Sequence, residues 1–415
     1  MMRMDRRSLL GLAFGSAAAA ATPSLARTVP PLRWMRSWSS AQQIAEPHNA
    51  LPPESLSDAT LRQQVRLTLS GGRFRVRLSN LFGAEPLVVK GAHVARPVAL
   101  DGPRTLPGSD RPLLFAGRPE VSIPAGADYL SDPVDMAVEA FDTLSVSLWL
   151  AGSPTLQTSH PGSRATSYVT PGDRTAEANL PDATRVDHWY FLSGVDVETS
   201  RAAPGIMVVG DSITDGYGVQ PNTNTRWTDF LAERLRAERP DQPRAVLNAG
   251  FGGNRLLADG LGPGTLARFE RDVLFPPGVG FAVVLIGVND LGGLSRDPAA
   301  TPEAHARLVE AMTGALDQMA RRGRDHGVRM IGATIMPFGK SGYYHATPET
   351  DGARRAVNDW IRTSGAFDRL IDFDAAMRNP ADPIQLNPTW DNDGLHPSVD
   401  GYRAMAAAVD LSMFD

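Results

Sequence analysis

Residues 205–216 read GIMVVGDSITDG: an unbroken apolar run, then glycine, aspartate and serine. An uninterrupted run of this kind is what a strand buried on both faces looks like, and Asp and Ser directly behind it are residues that start helices. Strands buried on both faces belong to parallel sheets covered by helices, so the chain should supply more such runs with helices between them. IMVVG (206–210), AVLNAG (245–250), FAVVLIG (281–287), VRMIGATIMP (328–337) and LIDF (370–373) meet that requirement. The helical patterns lie between them. The clearest opens at Thr301-Pro302-Glu303, a cap followed by proline at the first helical position, and places Leu308, Ala311, Met312, Ala315, Leu316 and Met319 on one face. Residues 226–238 and 353–365 behave similarly. Residues 204–415 are therefore expected to form an α/β domain, whose ligands bind beyond the carboxyl ends of the strands.

Upstream of Glu198–Gly205, which reads as a linker, the rhythm is different. In QVRLTLSGGRFRVRLSN (64–80), Val65, Leu67 and Leu69 alternate with polar residues, and Phe74, Val76 and Leu78 do so again after Gly71-Gly72. Period two on both sides of a Ser-Gly-Gly turn predicts a hairpin with one face buried and one wet. Residues 143–150 and 188–197 predict further strands, and residues 30–200 read as an all-β, antiparallel β-sandwich domain.

The N-terminus carries Arg6-Arg7, an apolar run from Leu9 to Ala21, then Ser24-Leu25-Ala26. That order is a secretory signal, expected to be removed after Ala26. The apolar run is shorter than the roughly 20 residues a spanning helix needs, so no stable membrane insertion is expected after cleavage. The paired arginines also fit a twin-arginine export motif, and both routes, twin-arginine or general secretory, lead to the periplasm or the exterior. Residues 1–26 hold three arginines and one aspartate, so their removal moves the formal charge from −5 to −7. Such a chain has no bulk attraction for nucleic acid. With 42% hydrophobic and 21% charged residues the composition is that of a globular protein, and the absence of cysteine rules out disulfides, thiolate nucleophiles and thiolate metal sites. Composition leaves the oligomeric state open.

The strand ends carry the chemistry. Ser212 follows the first run at a strand-to-helix turn, where its own N–H is among the free amides of the helix start. A helix cap is the plain alternative for Asp211-Ser212. After the second run, Ala249-Gly250-Phe251-Gly252-Gly253-Asn254 frees backbone amides; it lacks the lysine of a P-loop, and the GxGxxG fingerprint is absent. After the third come Val288, Asn289 and Asp290: an amide that can face an anionic oxygen, with a carboxylate available to brace the loop, or else an Asx turn. Near the C-terminus, DNDGLHPS (391–398) sets Asp393 three residues before His396, a spacing found at no other histidine of the eight. A serine needs a base, and these two could supply a histidine oriented by its own carboxylate. Asp391, Asp393 and His396 are also acceptable metal ligands, but the other strand ends offer only Asp211 and Asp290, so no metal and no cofactor are expected.

Taken in order, GDSITDG, NAGFGGN, GVND and DGLH resemble the four sequence blocks of the SGNH (GDSL) hydrolase family, over about residues 204–412. The resemblance implies a flavodoxin-like three-layer α/β/α fold. It implies Ser212 as nucleophile, His396 as general base and Asp393 as the residue that orients His396. It places the oxyanion hole on the N–H of Ser212, the N–H of Gly253 and the side chain of Asn289, with Gly252 as the other reading of the glycine block. The preceding β-rich half resembles that of secreted bacterial two-domain esterases. The expected activity is hydrolysis of carboxylic esters on small molecules or polysaccharides, with short acyl groups such as acetyl on carbohydrate or aryl alcohols. Tyr343, Tyr344 and Trp390 could stack against a ring, and the strand-end loops show no long apolar lid. A lysophospholipase or lipase acting on longer chains is the alternative within the enzymes. A glycan-binding protein without catalysis is the alternative outside them. A histidine base further predicts activity that falls in acid, below about pH 6 for an ordinary imidazole.

Overall fold

A computed structural model describes residues 31–296 and 300–415. The expected export signal at residues 1–26 lies outside them. Leu32–Asp415 forms one compact unit.

The apolar runs of the second half form a five-stranded parallel sheet. Its spatial order is Val246–Gly250, Gly205–Gly210, Val279–Leu285, Arg329–Ala333, Arg369–Ile371. In chain order that is 2-1-3-4-5, the flavodoxin-like arrangement. Every residue of Gly205–Gly210 is buried, because helices cover both faces. Trp227–Glu238 packs against Val399–Ala408 and Pro302–Asp325 against Pro348–Thr363, so the domain has three layers. The helix starts follow side-chain chemistry. Thr301 accepts from the Ala304 N–H and Thr347 from the Thr350 N–H, each with proline at the first helical position, and Ser398 caps Val399–Ala408. The Thr347 cap starts its helix at Pro348, earlier than the apolar pattern from Ala353 suggests. On Pro302–Asp325, Met312, Ala315, Leu316 and Met319 are buried as expected, whereas Ala311 is exposed at the edge of the stripe.

The first half is built from antiparallel strands in a sandwich. One sheet orders Arg33–Ser39, Leu192–Thr199, Arg73–Ser79 and Asp128–Leu130. The larger one includes Ser167–Pro171, Ala59–Arg66, Thr143–Leu150 and Leu87–Ala95 as neighbours. The expected hairpin across Gly71-Gly72 is absent. Ala59–Arg66 pairs with Thr143–Leu150 and Ser167–Pro171, and Arg73–Ser79 pairs with Leu192–Thr199 and Asp128–Leu130. The two alternating runs face one core from opposite sheets, which gives the same period as a hairpin. Residues 67–72 cross between the sheets, with the Thr68 N–H bonded to the Ser37 carbonyl and the Gly71 N–H to that of Val138. A Cβ at Gly71 would stand 2.6 Å from that of Val197, so only glycine fits the crossing. Nor is the outer face of Ala59–Arg66 wet. The Arg62 guanidinium is buried there and donates to the carbonyls of Pro103, Thr175 and Glu177. Phe191, at φ 57°, splits the run 188–197 into Trp189–Tyr190 and Leu192–Thr199, which enter different sheets.

The two halves share one apolar core. Strand Arg33–Ser39 lies beside Val246–Gly250, the Arg36 N–H bonds the Pro277 carbonyl at 2.8 Å, and Met35 packs over Gly278. No helix among the described residues is long and apolar enough to cross a membrane.

Candidate active site

Strand Gly205–Gly210 ends in a turn that only glycine permits: a Cβ at Gly210 would meet Thr214 Oγ1 at 2.4 Å and the Leu285 carbonyl at 2.6 Å. Asp211 caps the next turn, accepting from the Ile213 N–H at 3.0 Å, so Ser212 becomes the first residue of the helical turn Ser212–Asp215. Gly216, at φ 88°, closes that turn with its N–H on the Ser212 carbonyl. The cap alternative for Asp211-Ser212 is thus half correct: Asp211 caps, and Ser212 is left for other work.

From 184 residues away, His396 Nε2 reaches Ser212 Oγ at 2.8 Å. Its Nδ1 lies 2.9 Å from Asp393 Oδ2, and its own N–H donates to Asp393 Oδ1 at 2.8 Å. A carboxylate facing Nδ1 fixes the proton there, which turns the Nε2 lone pair toward the serine hydroxyl. Asp391, the third acid of the stretch, is a brace: it accepts from the Gly394 N–H at 2.7 Å and holds the tight turn between Asp393 and His396. Burial works to raise the Asp393 carboxyl, but the hydrogen bonds and charge of His396 and the Leu395 N–H outweigh it and bring it down to about 2. Asp211 goes the other way. Burial, with the charges of Asp290 and Asp215 adding to it, lifts its carboxyl to about 7 against the Ile213 N–H.

Asn289 opens the helix Val288–Ser295 and is buried. Its Nδ2 donates to the Asn254 carbonyl at 2.8 Å and its Oδ1 accepts from the Tyr344 hydroxyl at 2.5 Å, which leaves one amide proton uncommitted. Asp290 does brace the loop: its two oxygens accept from the N–H groups of Leu256 and Leu257 at 2.8 and 3.0 Å. Gly253 sits at φ 67° in the turn that precedes those amides, with the Leu261 side chain packed over it. Arg268, fully buried, ties this end of the sheet together by donating to Asn254 Oδ1 and to the Ala249 carbonyl.

Ser212, Asp393 and His396 are therefore brought together, and Gly253 and Asn289 follow the two strands that flank Gly205–Gly210, Gly253 in a turn and Asn289 in the first turn of a helix. The proposed ring-stacking residues fare differently. Tyr344 is buried, with its hydroxyl spent on Asn289; Trp390 is partly buried against the core; Tyr343 is exposed, with the Arg296 guanidinium 3.8 Å from its ring centroid. The aromatic that does meet the catalytic geometry is Tyr217, 45% exposed and stacked on His396 with centroids 4.1 Å apart. Nothing in the sequence marked Tyr217 or Arg268, because both act across tertiary contacts. Among the described residues no cluster of three or more His, Asp or Glu side chains is placed to hold a metal ion.

Residues 208–404 match the GDSL-like Lipase/Acylhydrolase family. Among solved structures the chain is similar to a GDSL-like lipase from Bacteroides thetaiotaomicron, at 17% identity over 49% of this chain and 85% of that one, with a TM-score of 0.36. It is also similar to an acetylxylan esterase from Geobacillus stearothermophilus, at 19% identity over 51% and 94% of the two chains, TM-score 0.36. A lipolytic protein of the G-D-S-L family from Desulfitobacterium hafniense matches at 18% identity over 49% and 97%, TM-score 0.36. No curated protein matches the chain. The parallel α/β half, with serine and histidine in bonding contact at its strand ends, defines a carboxylic ester hydrolase. The match to the GDSL-like Lipase/Acylhydrolase family falls within that half, over residues 208–404.

Proposed function

We propose that the protein is a secreted serine esterase that removes short acyl groups, such as acetyl, from carbohydrate or aryl alcohols. The observation that carries the mechanism is the hydrogen-bonded chain from Ser212 Oγ through His396 to Asp393, with links of 2.8 and 2.9 Å. His396 Nε2 takes the hydroxyl proton as Ser212 attacks the ester carbonyl, and Asp393 holds the imidazolium that forms. The N–H groups of Ser212 and Gly253 and the uncommitted amide proton of Asn289 receive the oxyanion. His396 then protonates the departing alcohol, and water repeats the sequence to release the acid.

Two features support a short acyl group. Leu261 lies over the Gly253 turn, and Tyr217 covers one face of His396, so the groups around the nucleophile are compact and partly exposed. A cavity of about 60 Å3 nearby is lined by His160, Asp215 and Arg226, and its wall includes neither Ser212 nor His396. Export rests on the three-part pattern of residues 1–26.

The test compares nitrophenyl acetate with nitrophenyl dodecanoate, then acetylated xylan with acetylated pectin. Preference for the dodecanoate would favour the lipase reading. An organophosphonate ester should form one adduct, at Ser212, with loss of activity; a chain that does not react is a glycan binder. Mass spectrometry of the exported protein should find residues 1–26 removed.

A further inference from the structure

His160 belongs to the β-rich half, yet its imidazole is buried against the helical turn that carries Ser212. Its Nε2 is 2.9 Å from Asp215 Oδ1 and its Nδ1 2.7 Å from the Ala41 carbonyl oxygen, with side-chain exposures of 4% for His160 and 3% for Asp215. The ring stacks on Trp189 at 5.7 Å between centroids, which fixes its plane. A carbonyl can only accept, so Nδ1 must carry a proton. A neutral ring would then present a bare lone pair at Nε2 to an ionised carboxylate. Two acceptors 2.9 Å apart repel, so the contact requires a second proton, and on the ring that proton makes a charge-assisted bond to the carboxylate. Asp215 has little else to satisfy it: among the described residues its Oδ2 is buried without a hydrogen-bond partner.

The same corner is locked from other directions. Arg226 Nε donates to the Asp215 carbonyl at 2.9 Å and its Nη2 to the Ser163 carbonyl, Asn248 Nδ2 donates to the Thr214 carbonyl at 2.6 Å, and Gly162 is packed so closely on Asp215 that no side chain fits there. Ser212 and Asp215 are the two ends of one helical turn, with the Asp215 N–H on the Asp211 carbonyl at 2.9 Å. A shift at Asp215 therefore moves Ser212.

We propose that His160 carries both ring protons in a buried bond to Asp215, and that through this bond the β-rich half sets the position of the nucleophile, which makes His160 a positioning residue for ester hydrolysis. The proposal rests on the reading of Ser212 as nucleophile. It gives the β-rich half a task in the reaction apart from any binding of substrate.

Two measurements on the full chain test it. In the wild-type protein labelled with 15N-histidine, the His160 ring should show protons on both nitrogens at neutral pH, assigned by the loss of that signal in His160→Gln. A ring protonated on Nδ1 alone overturns the proposal. His160→Phe keeps the ring against Trp189 but cannot donate; with the fold checked by circular dichroism, it should lower kcat on nitrophenyl acetate and slow phosphonate labelling of Ser212 by about ten- to hundredfold, with KM changed less than about twofold. His160→Gln, whose amide N–H can reach Asp215, should recover most of that loss. A folded His160→Phe with wild-type kcat and labelling rate overturns the proposal, and if that variant does not fold, the wild-type spectrum decides. Absence of any phosphonate adduct at Ser212 in the wild type would instead sink the esterase mechanism, and the protonation state of His160 would stand apart from it.

Discussion

The hydroxyl of Tyr344 donates to Asn289 Oδ1 at 2.5 Å, 55 residues along the chain. Tyr344 therefore orients an amide instead of meeting substrate. With Oδ1 held by Tyr344 and one Nδ2 proton held by the Asn254 carbonyl, the remaining proton has a single direction. Tyr344→Phe removes the hydroxyl and leaves a buried acceptor unpaired, so the amide loses its orientation. We expect kcat to fall about tenfold with KM little changed, since losing a charge-free hydrogen bond costs about 1 kcal/mol or slightly more. Asn289→Ala removes the donor itself and should cost about 10²–10³ in kcat while the protein stays folded. Steady-state kinetics on nitrophenyl acetate, with circular dichroism as the control, checks both. A rise in KM with kcat unchanged would show that the amide binds ground-state substrate instead.

Tyr217 supports the histidine from the side opposite in function. Its ring stacks on His396 at an interplanar angle of 27°, and its own carbonyl accepts from the Tyr402 hydroxyl at 2.8 Å, which anchors the segment. Aromatic pairs of this kind are worth about 0.5–1.5 kcal/mol beyond simple burial. Tyr217→Ala should therefore lower kcat about two- to tenfold, and Tyr217→Phe, which keeps the ring, should restore it. A Tyr217→Phe variant as slow as Tyr217→Ala would mean that the phenol oxygen, not the ring, matters.

What the sequence revealed and what it hid divide along a physical line. Local chemistry was legible: the buried strands announced themselves as unbroken apolar runs, Thr301 and Pro302 marked a helix start, and Asp393 and His396 were close enough in sequence to imply their contact. Period-two alternation was legible as strand but not as pairing, because residues 59–66 and 73–79 line one core from two sheets and a hairpin would produce the same letters. Contacts made across the fold left no local trace. Arg62 on the outer face of its strand, Tyr217 on His396 and His160 on Asp215 each join segments far apart in the chain.

Gly394 tests how much the Asp393–His396 turn depends on backbone geometry. It lies at φ 81°, and a Cβ there would stand 2.5 Å from the Lys340 carbonyl oxygen. An alanine in this conformation costs about 1–2 kcal/mol before the clash is counted, and the strain falls on the residues between the carboxylate and the imidazole. Gly394→Ala should lose at least tenfold in kcat, with a fall in Tm of only a few degrees. Gly72→Ala, where nothing stands within 4 Å of the added carbon, is the matched control and should keep its activity. If Gly394→Ala kept full activity, the turn would be more tolerant than its contacts imply.

Asp211 makes stability depend on pH near neutrality. Its carboxyl is raised to about 7 in the folded chain, first by burial and then by the charges of Asp290 and Asp215, whereas in the unfolded chain it titrates near 3.8. A raised folded value means that the native state holds the proton more tightly. The stabilisation is fully present below about 3.8 and is lost progressively as pH rises through about 7. Asp211→Asn keeps the cap on the Ile213 N–H, since asparagine caps about as well as aspartate, but has nothing to ionise. The variant should therefore gain Tm relative to wild type as pH climbs from 4 to 7, by a few degrees, with the difference levelling off above that range. Melting curves of both proteins across pH 4–9 measure it. A difference that stays constant across the range would show that Asp211 is ionised in the folded protein throughout, and that the turn ahead of Ser212 carries a buried charge instead of a proton.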